Sequence, residues 1–201
     1  MPANRLRGAL LVALAISALA GCSAEPEPPP NYRLQGDACT AVNPAEFEAL
    51  TRGTPTKTPS KLITGLDGGN CEMEFDGSGG YAKLTTFIAI HNTGEPGAKA
   101  MYDDFRANDG KRSGPGTDLT VVDVEGLGSA AYLYRQHDDT KPWTVKELWL
   151  YKYDVRHGSL VLTVTGSGYA RETDGWPAAE EELKAKVRKS VDDTMKALKP
   201  S

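Results

Sequence analysis

The chain has 201 residues, with 27 acidic against 23 basic side chains and a formal net charge of −4. That length fits one domain of ordinary size. The mildly acidic balance argues against a nucleic-acid surface and against a polybasic grip on anionic lipid.

Arg5 and Arg7 open the chain with positive charge, and residues 9–20 are apolar apart from Ser17. This run has the length of a signal-peptide core and is too short to span a bilayer as a helix. Leu6 separates the arginines, so there is no twin-arginine pair. Leu19-Ala20-Gly21-Cys22 follows. An aliphatic residue and a small pair ahead of cysteine resemble the lipobox of bacterial secreted lipoproteins. The resemblance implies that the signal 1–21 is removed and that the Cys22 sulfur carries diacylglycerol, which makes the membrane a partner through the N-terminal lipid. Each buried methylene contributes about 0.8 kcal/mol, so two acyl chains give a stable anchor. An ordinary signal peptide with an incidental cysteine is the alternative.

Without residues 1–21 the chain keeps 180 residues, 21 of them basic and 27 acidic, a net charge of −6. It has no further apolar run long enough to cross a membrane. Residues 23–31 read S-A-E-P-E-P-P-P-N. Proline favours the extended polyproline form, so residues 22–36 are expected to be a semi-stiff tether of roughly 3 Å per residue. A single domain over 37–201 follows it.

Cysteine is present three times. With Cys22 committed to lipid, Cys39 and Cys71 are left as a pair in an oxidising compartment, and a disulfide between them is expected. A zinc site is the competing reading. It needs two more ligands, and His91, His137 and His157 lie far off without metal spacing.

The elements follow in order. Asn43, Pro44 and Glu46 suit the N-cap, N1 and N3 positions of a short helix, with Val42 stapled against Phe47 and Gly53 as its end. Residues 54–61 read as a polar loop or irregular edge. Residues 71–75 and 81–91 read as strands joined by Asp76-Gly77-Ser78-Gly79-Gly80. Ala82, Leu84, Ile88 and Ile90 share one face of the second strand. Pro96 opens a helix to Asn108 with an apolar stripe of Ala98, Met101 and Phe105, while Asp103 and Asp104 form a hydrated face. Strands are expected over 119–124, 129–136, 144–153 and 159–166, with turns at 138–142 and 154–158. The 144–153 strand is apolar on both faces, so it lies mid-sheet. Pro177 opens the last helix, whose stripe is Leu183, Val187, Val191, Met195 and Leu198.

No catalytic signature is present: there is no G-x-S-x-G, no H-E-x-x-H and no S-x-x-K of the class A β-lactamases. No cofactor or metal is implied. The acidic pairs Asp138-Asp139 and Asp192-Asp193 read as solvated. Trp149 reads as core. Trp143 and Trp176 border loops, where they either pack as lids or form a binding surface.

Asp37-Ala38-Cys39-Thr40, the second cysteine, Val124-Glu125-Gly126-Leu127-Gly128-Ser129-Ala130-Ala131, and Arg156-His157-Gly158-Ser159 ahead of Leu160-Val161-Leu162-Thr163-Val164 together resemble a family of actinobacterial surface lipoproteins known only as a domain of unknown function. The likeness runs from about Asp37 to Leu198. Members often carry a tryptophan just after the second cysteine, where this chain has Glu72-Met73-Glu74. The family is similar to the α/β sandwich of PsbP-like and Mog1-like proteins, which bind rather than catalyse, and it supplies no active-site residues.

The expected fold is α+β: an antiparallel sheet of about six strands with a long C-terminal helix and shorter helices packed on it. The expected function is a lipid-anchored, extracytoplasmic binding or accessory module at the cell surface, whose partner is an envelope protein or a small apolar ligand and not a nucleic acid. A cell-envelope hydrolase with a site assembled from scattered residues is the alternative.

Overall fold

The computed structural model describes residues 30–61, 66–112, 117–138, 148–169 and 179–200. Its strands are β1 (Thr56–Lys61), β2 (Leu66–Gly77), β3 (Gly80–His91), β4 (Thr117–Asp123), β5 (Ala130–Asp138), β6 (Leu148–His157) and β7 (Leu160–Tyr169). They form one seven-stranded sheet in the order β1-β2-β3-β7-β6-β5-β4, with every neighbouring pair antiparallel. The helices are α1 (Ala45–Thr51), α2 (Glu95–Asp109) and α3 (Ala179–Ala197). The first three strands make a meander. The chain then crosses by way of α2 to the far edge and winds back until β7 closes against β3.

The fold is therefore α+β, as expected, with one more strand than the six anticipated. The addition is β1, which pairs with β2 from Thr56 opposite Glu74 to Lys61 opposite Gly69. Every one of its residues is exposed. With neither face buried, nothing selects an apolar alternation; of the two readings given to this segment, loop or irregular edge, the edge is the one observed. Pro59 is tolerated because β1 is an edge strand.

Alternation along β3 sorts the two faces of the sheet. Ala82, Leu84, Ile88 and Ile90 join the main core with Leu183, Val187, Val191, Met195 and Leu198 of α3. The stripe read from the sequence is thus the face that α3 buries. Phe87 and Ala89 point the other way and pack with Ala98, Met101 and Phe105 of α2. Helices consequently cover both faces. α1 shares the α3 side, where Phe47 stacks on Phe75 with ring centroids 5.5 Å apart. Gly166 on β7 lies where α1 and α3 press on the sheet. A Cβ there would come within 2.3 Å of Val187 Cγ2 and 3.0 Å of Phe47 Cζ. The bare backbone is what lets both helices approach.

α1 differs from expectation at both ends. The Asn43 side chain does accept a hydrogen bond from Ala45 N, at 3.1 Å. Glu46 does not reach back to complete a capping box. It pairs instead with Lys186 of α3, at 3.3 Å. The helix closes on Arg52, which takes the left-handed conformation at φ 56° and ψ 34°. Gly53 serves contact instead, since a Cβ there would sit 2.5 Å from the Asp76 carbonyl oxygen.

Cys39 and Cys71 are joined by a disulfide with Cα atoms 4.9 Å apart. Cys39 belongs to a short 3-10 turn, Ala38–Thr40, whose first N–H groups are capped by the Asp37 carboxylate. Closing a loop with a sequence separation of 32 contributes roughly 3–4 kcal/mol. Upstream of Asp37, Tyr32 is buried in the main core. Its hydroxyl lies 2.7 Å from His157 Nδ1, and Arg33 N donates to the Leu198 carbonyl at 2.9 Å. The chain therefore joins the domain beside the β6–β7 turn and the end of α3.

β6 also departs from expectation. The sequence places a turn at 154–158, yet the strand continues to His157 and the turn needs only Gly158 and Ser159. Asp154, expected in that turn, is instead an interior strand residue with no exposed surface.

Candidate functional site: the cleft between α2 and the sheet

Register aligns one row of side chains across the α2 face. Asn70, Phe87, Thr163, Asp154, Tyr132 and Asp123 stand opposite one another on β2, β3, β7, β6, β5 and β4. Cross-strand neighbours of this kind interact directly. The Thr163 hydroxyl donates to Asp154 Oδ1. Two positions along β6 on the same face, Lys152 places its ammonium 3.1 Å from Asp154 Oδ2, in ion-pair contact without the alignment of a hydrogen bond.

The helix answers this row from above. α2 ends on Asp109, which is 2% exposed. Its Oδ2 accepts from Lys152 Nζ at 2.5 Å and from the Tyr132 hydroxyl at 2.8 Å. Its Oδ1 lies 3.5 Å from Arg112 Nε. Further along α2, Arg106 binds Asp123 and covers the Tyr132 ring, 5.6 Å from its centroid. At the other end Glu95 accepts from Arg156 of β6 at 2.6 Å. Ion pairs thus pin the helix to the sheet near both ends.

Burial sets the protonation of this cluster. Desolvation pushes the Asp154 carboxyl above the usual carboxylate range, against the opposing pull of Lys152 and the Thr163 hydrogen bond. The Tyr132 phenol is pushed far up, first by burial and then by the Asp154 and Asp109 carboxylates. It remains a donor at any physiological pH.

Beside the cluster opens a cleft of about 330 Å³. The sheet contributes Phe87, Lys152 and Thr163, and α2 with the turn after it contributes Asp104, Phe105, Asn108, Asp109 and Arg112. Phe87 and Phe105 meet edge to face, with centroids 5.7 Å apart. Two of the carboxylates here are closed off, since Asp154 has no exposed surface and Asp109 is committed to three partners, while Asp104 on α2 is exposed and accepts from Asn108.

The residues singled out from sequence fall elsewhere. Cys39 and Cys71 form the structural disulfide. Cys22, Trp143 and Trp176 lie outside the described residues. The flanks of the segments bearing the two tryptophans are described, however. Asp138 pairs with Leu148, and Trp149 with Gly168, so both segments leave the sheet at the same end. At that end Trp149 packs against the core and stacks on His137, centroids 3.8 Å apart.

The histidines do not converge. His137 is in β5 and not in a polar turn, and it lies at the opposite end of the sheet from His91 and His157. His157 is likewise a strand residue and not part of a turn. Burial lowers the His157 pKa, and Lys199 and Arg156 lower it further. Among the described residues no group of three His, Cys, Asp or Glu side chains could hold a metal ion. No helix among them is long and apolar enough to cross a membrane.

The cleft residues Asp109, Lys152 and Thr163, and Tyr132 and Asp154 of the buried cluster beside it, escaped the sequence reading. The only signal was a run of charge and hydroxyl alternating with apolar residues, Lys152-Tyr153-Asp154-Val155 and Leu162-Thr163-Val164. It reads as an ordinary wet face until the helix covering it is known. No protein-family model matches the chain, and no curated protein matches it.

Proposed function

We propose that this chain is a lipid-anchored module on the outer face of the cell membrane, working by binding rather than by catalysis, and that the cleft under α2 is where it binds. The observation that carries the binding reading is the state of the carboxylates around the cleft. Asp109 and Asp154 are buried and engaged with Lys152, Tyr132 and Thr163, so neither offers a proton or a lone pair to a substrate. What remains accessible is an aromatic wall with polar groups around it, including Asp104, a single exposed carboxylate with no buried acid or base free to pair with it, the usual make-up of a recognition pocket.

The anchoring half of the proposal rests on Leu19-Ala20-Gly21-Cys22 and gains support from the disulfide, which is characteristic of oxidising compartments. The entry of the chain fits as well. It meets the domain beside the β6–β7 turn, whereas the segments bearing Trp143 and Trp176 leave from the other end of the strands. A domain held by its N-terminus presents those segments away from the bilayer, towards an envelope partner. Trp143 and Trp176 belong to the proposal as a second contact surface. The alternative, a cell-envelope hydrolase, has one observation in its favour, the raised Asp154 pKa. That carboxyl has no exposed surface with which to act.

Fractionation and crosslinking of intact cells test the proposal together. Cys22→Ala should move the protein from the membrane pellet to the soluble fraction, and wild-type protein should yield a reproducible crosslinked partner or ligand. Retention of Cys22→Ala in the pellet after a salt wash would overturn the anchor. Turnover of a wall or lipid substrate by purified protein would overturn the binding role.

A further inference from the structure

We propose that the cleft under α2 takes a neutral sugar unit of a glycan. This rests on the binding reading above and supplies the ligand class it leaves open.

The polar inventory is mixed and its charges cancel. Lys152 and Arg112 are the cations at the cleft, and Asp104 and Asp109 the anions. An anionic or a cationic ligand would meet its own charge there as readily as the opposite one. A hydroxyl group suits such a place because it both donates and accepts. Donors are available. The Lys152 ammonium has three protons, of which one is given to Asp109, while Asp154 makes ion-pair contact only. Arg112 faces Asp109 through Nε, which leaves its terminal nitrogens to the open side, where the side chain is 65% exposed. Asn108 donates one amide proton to Asp104 at 3.1 Å and keeps the other, together with its carbonyl oxygen. The Thr163 hydroxyl donates to Asp154 and still has lone pairs to accept.

The aromatic wall supplies the rest. A sugar ring presents hydroxyls around its rim and C–H groups on its faces, and Phe87 with Phe105 offers an apolar surface to those faces. The polar groups are also held before any ligand arrives. Asp109 fixes Lys152 and Arg112 at once, and the sheet register fixes Thr163 beside Phe87. A site ordered in advance loses little freedom on binding. At about 330 Å³ the cleft is at the small end of ligand sites, which suits a terminal sugar unit better than a long chain segment.

The test is titration of isotope-labelled protein, residues 22–201, with N,N′-diacetylchitobiose, cellobiose and maltose at about 10 mM, a level at which millimolar affinity registers. Benzoate and choline serve as the anionic and cationic comparisons. The expected result is amide shifts at Asp104, Asn108, Arg112 and Thr163 with at least one saccharide, weakened about tenfold by Asn108→Ala and by Arg112→Ala, as loss of a hydrogen bond implies. Both side chains are exposed, and Lys152 and Tyr132 keep Asp109 paired when Arg112 is removed, so melting temperatures should change little. The proposal is overturned if no saccharide moves these amides, if only benzoate or choline does, or if both variants bind as tightly as the parent. The sugar resonances recorded in the same tube separate the two claims. An intact sugar upholds both, whereas a cleaved one leaves the ligand class standing and removes the binding-only role.

Discussion

Lys152 on β6 and Asp109 at the last residue of α2 are joined by a 2.5 Å hydrogen bond across 43 positions of sequence. An acidic residue in the final turn opposes the helix dipole and is disfavoured there on local grounds. Burial to 2% exposure would normally add to the cost. The lysine answers both difficulties, because its ammonium adds a buried positive charge directly on the carboxylate, beyond that of Arg106 in the last turn and Arg112 just past it. The pair also fixes how far α2 stands above the sheet, and so fixes the width of the cleft.

Lys152→Met should therefore be severely destabilising even though the replacement fits the apolar surroundings. It strands Asp109 and Asp154 without their shared cation, and breaking a buried pair from one side costs about 3–5 kcal/mol. Urea denaturation checks this. A loss below about 1 kcal/mol, the range of exposed ion pairs, would mean that the cluster is open to water.

Asp154 gives stability a pH dependence of unusual sign for a carboxyl. Its pKa is raised in the folded chain by burial, with Lys152, Tyr132 and Thr163 facing it. The unfolded form releases its proton first, near pH 4 on the usual carboxylate scale. The stability contributed by the protonated group is complete below about pH 4 and is lost as pH rises through the folded pKa. Asp154→Asn keeps the size of the side chain without the ionisation. It should flatten this decline and be at least as stable as the parent at neutral pH. Denaturation midpoints followed from about pH 4 to about pH 8 decide the matter; a variant that falls with pH as steeply as the parent would assign the effect to another group.

The Tyr32–His157 contact responds in the opposite direction. The His157 pKa is lowered in the folded chain, by burial first and by Lys199 and Arg156 next. Its contribution is present above the ordinary histidine value of about 6.5 and is lost as pH falls towards the folded pKa. Burial also pushes the Tyr32 phenol up to about 12, so it stays the donor to a neutral ring. Protection of the Arg33 amide, taken relative to its intrinsic exchange rate, should drop in mild acid, and Tyr32→Phe should lower that protection already at neutral pH. Exchange that is indifferent to pH in this sense would place the hold on the N-terminal segment in the Arg33–Leu198 backbone bond alone.

Much of the core was readable because burial on one side imposes a period. The stripe from Leu183 to Leu198, the alternation from Ala82 to Ile90 and the Cys39–Cys71 pair all carry a signal that survives without tertiary context. β1 carried none, since all its residues face solvent. The cleft was hidden for a related reason. Lys152 falls in a strand that reads as apolar on both faces and Asp154 in an expected turn, and only α2, arriving from far along the chain, brings the two into one buried cluster. The turn assigned at 154–158 followed from the poor fit of aspartate to a strand, a preference that pairing with Thr163 and Lys152 overrides. Trp143 and Trp176, singled out because they border loops, lie outside the described residues.

The disulfide has a mechanical consequence. A pull on the N-terminus first meets Tyr32 and Arg33, held by the burial of the Tyr32 ring, its His157 contact and one backbone hydrogen bond, and these give way before a covalent link does. Peeling then stops at Cys39, because the next link is covalent and leads straight to Cys71 in β2. The load bypasses α1 and β1 altogether and arrives in a strand bonded along its length to β3. Force applied there is met by a strand paired along its whole length, so the domain should resist a pull on its N-terminus without unravelling from that end.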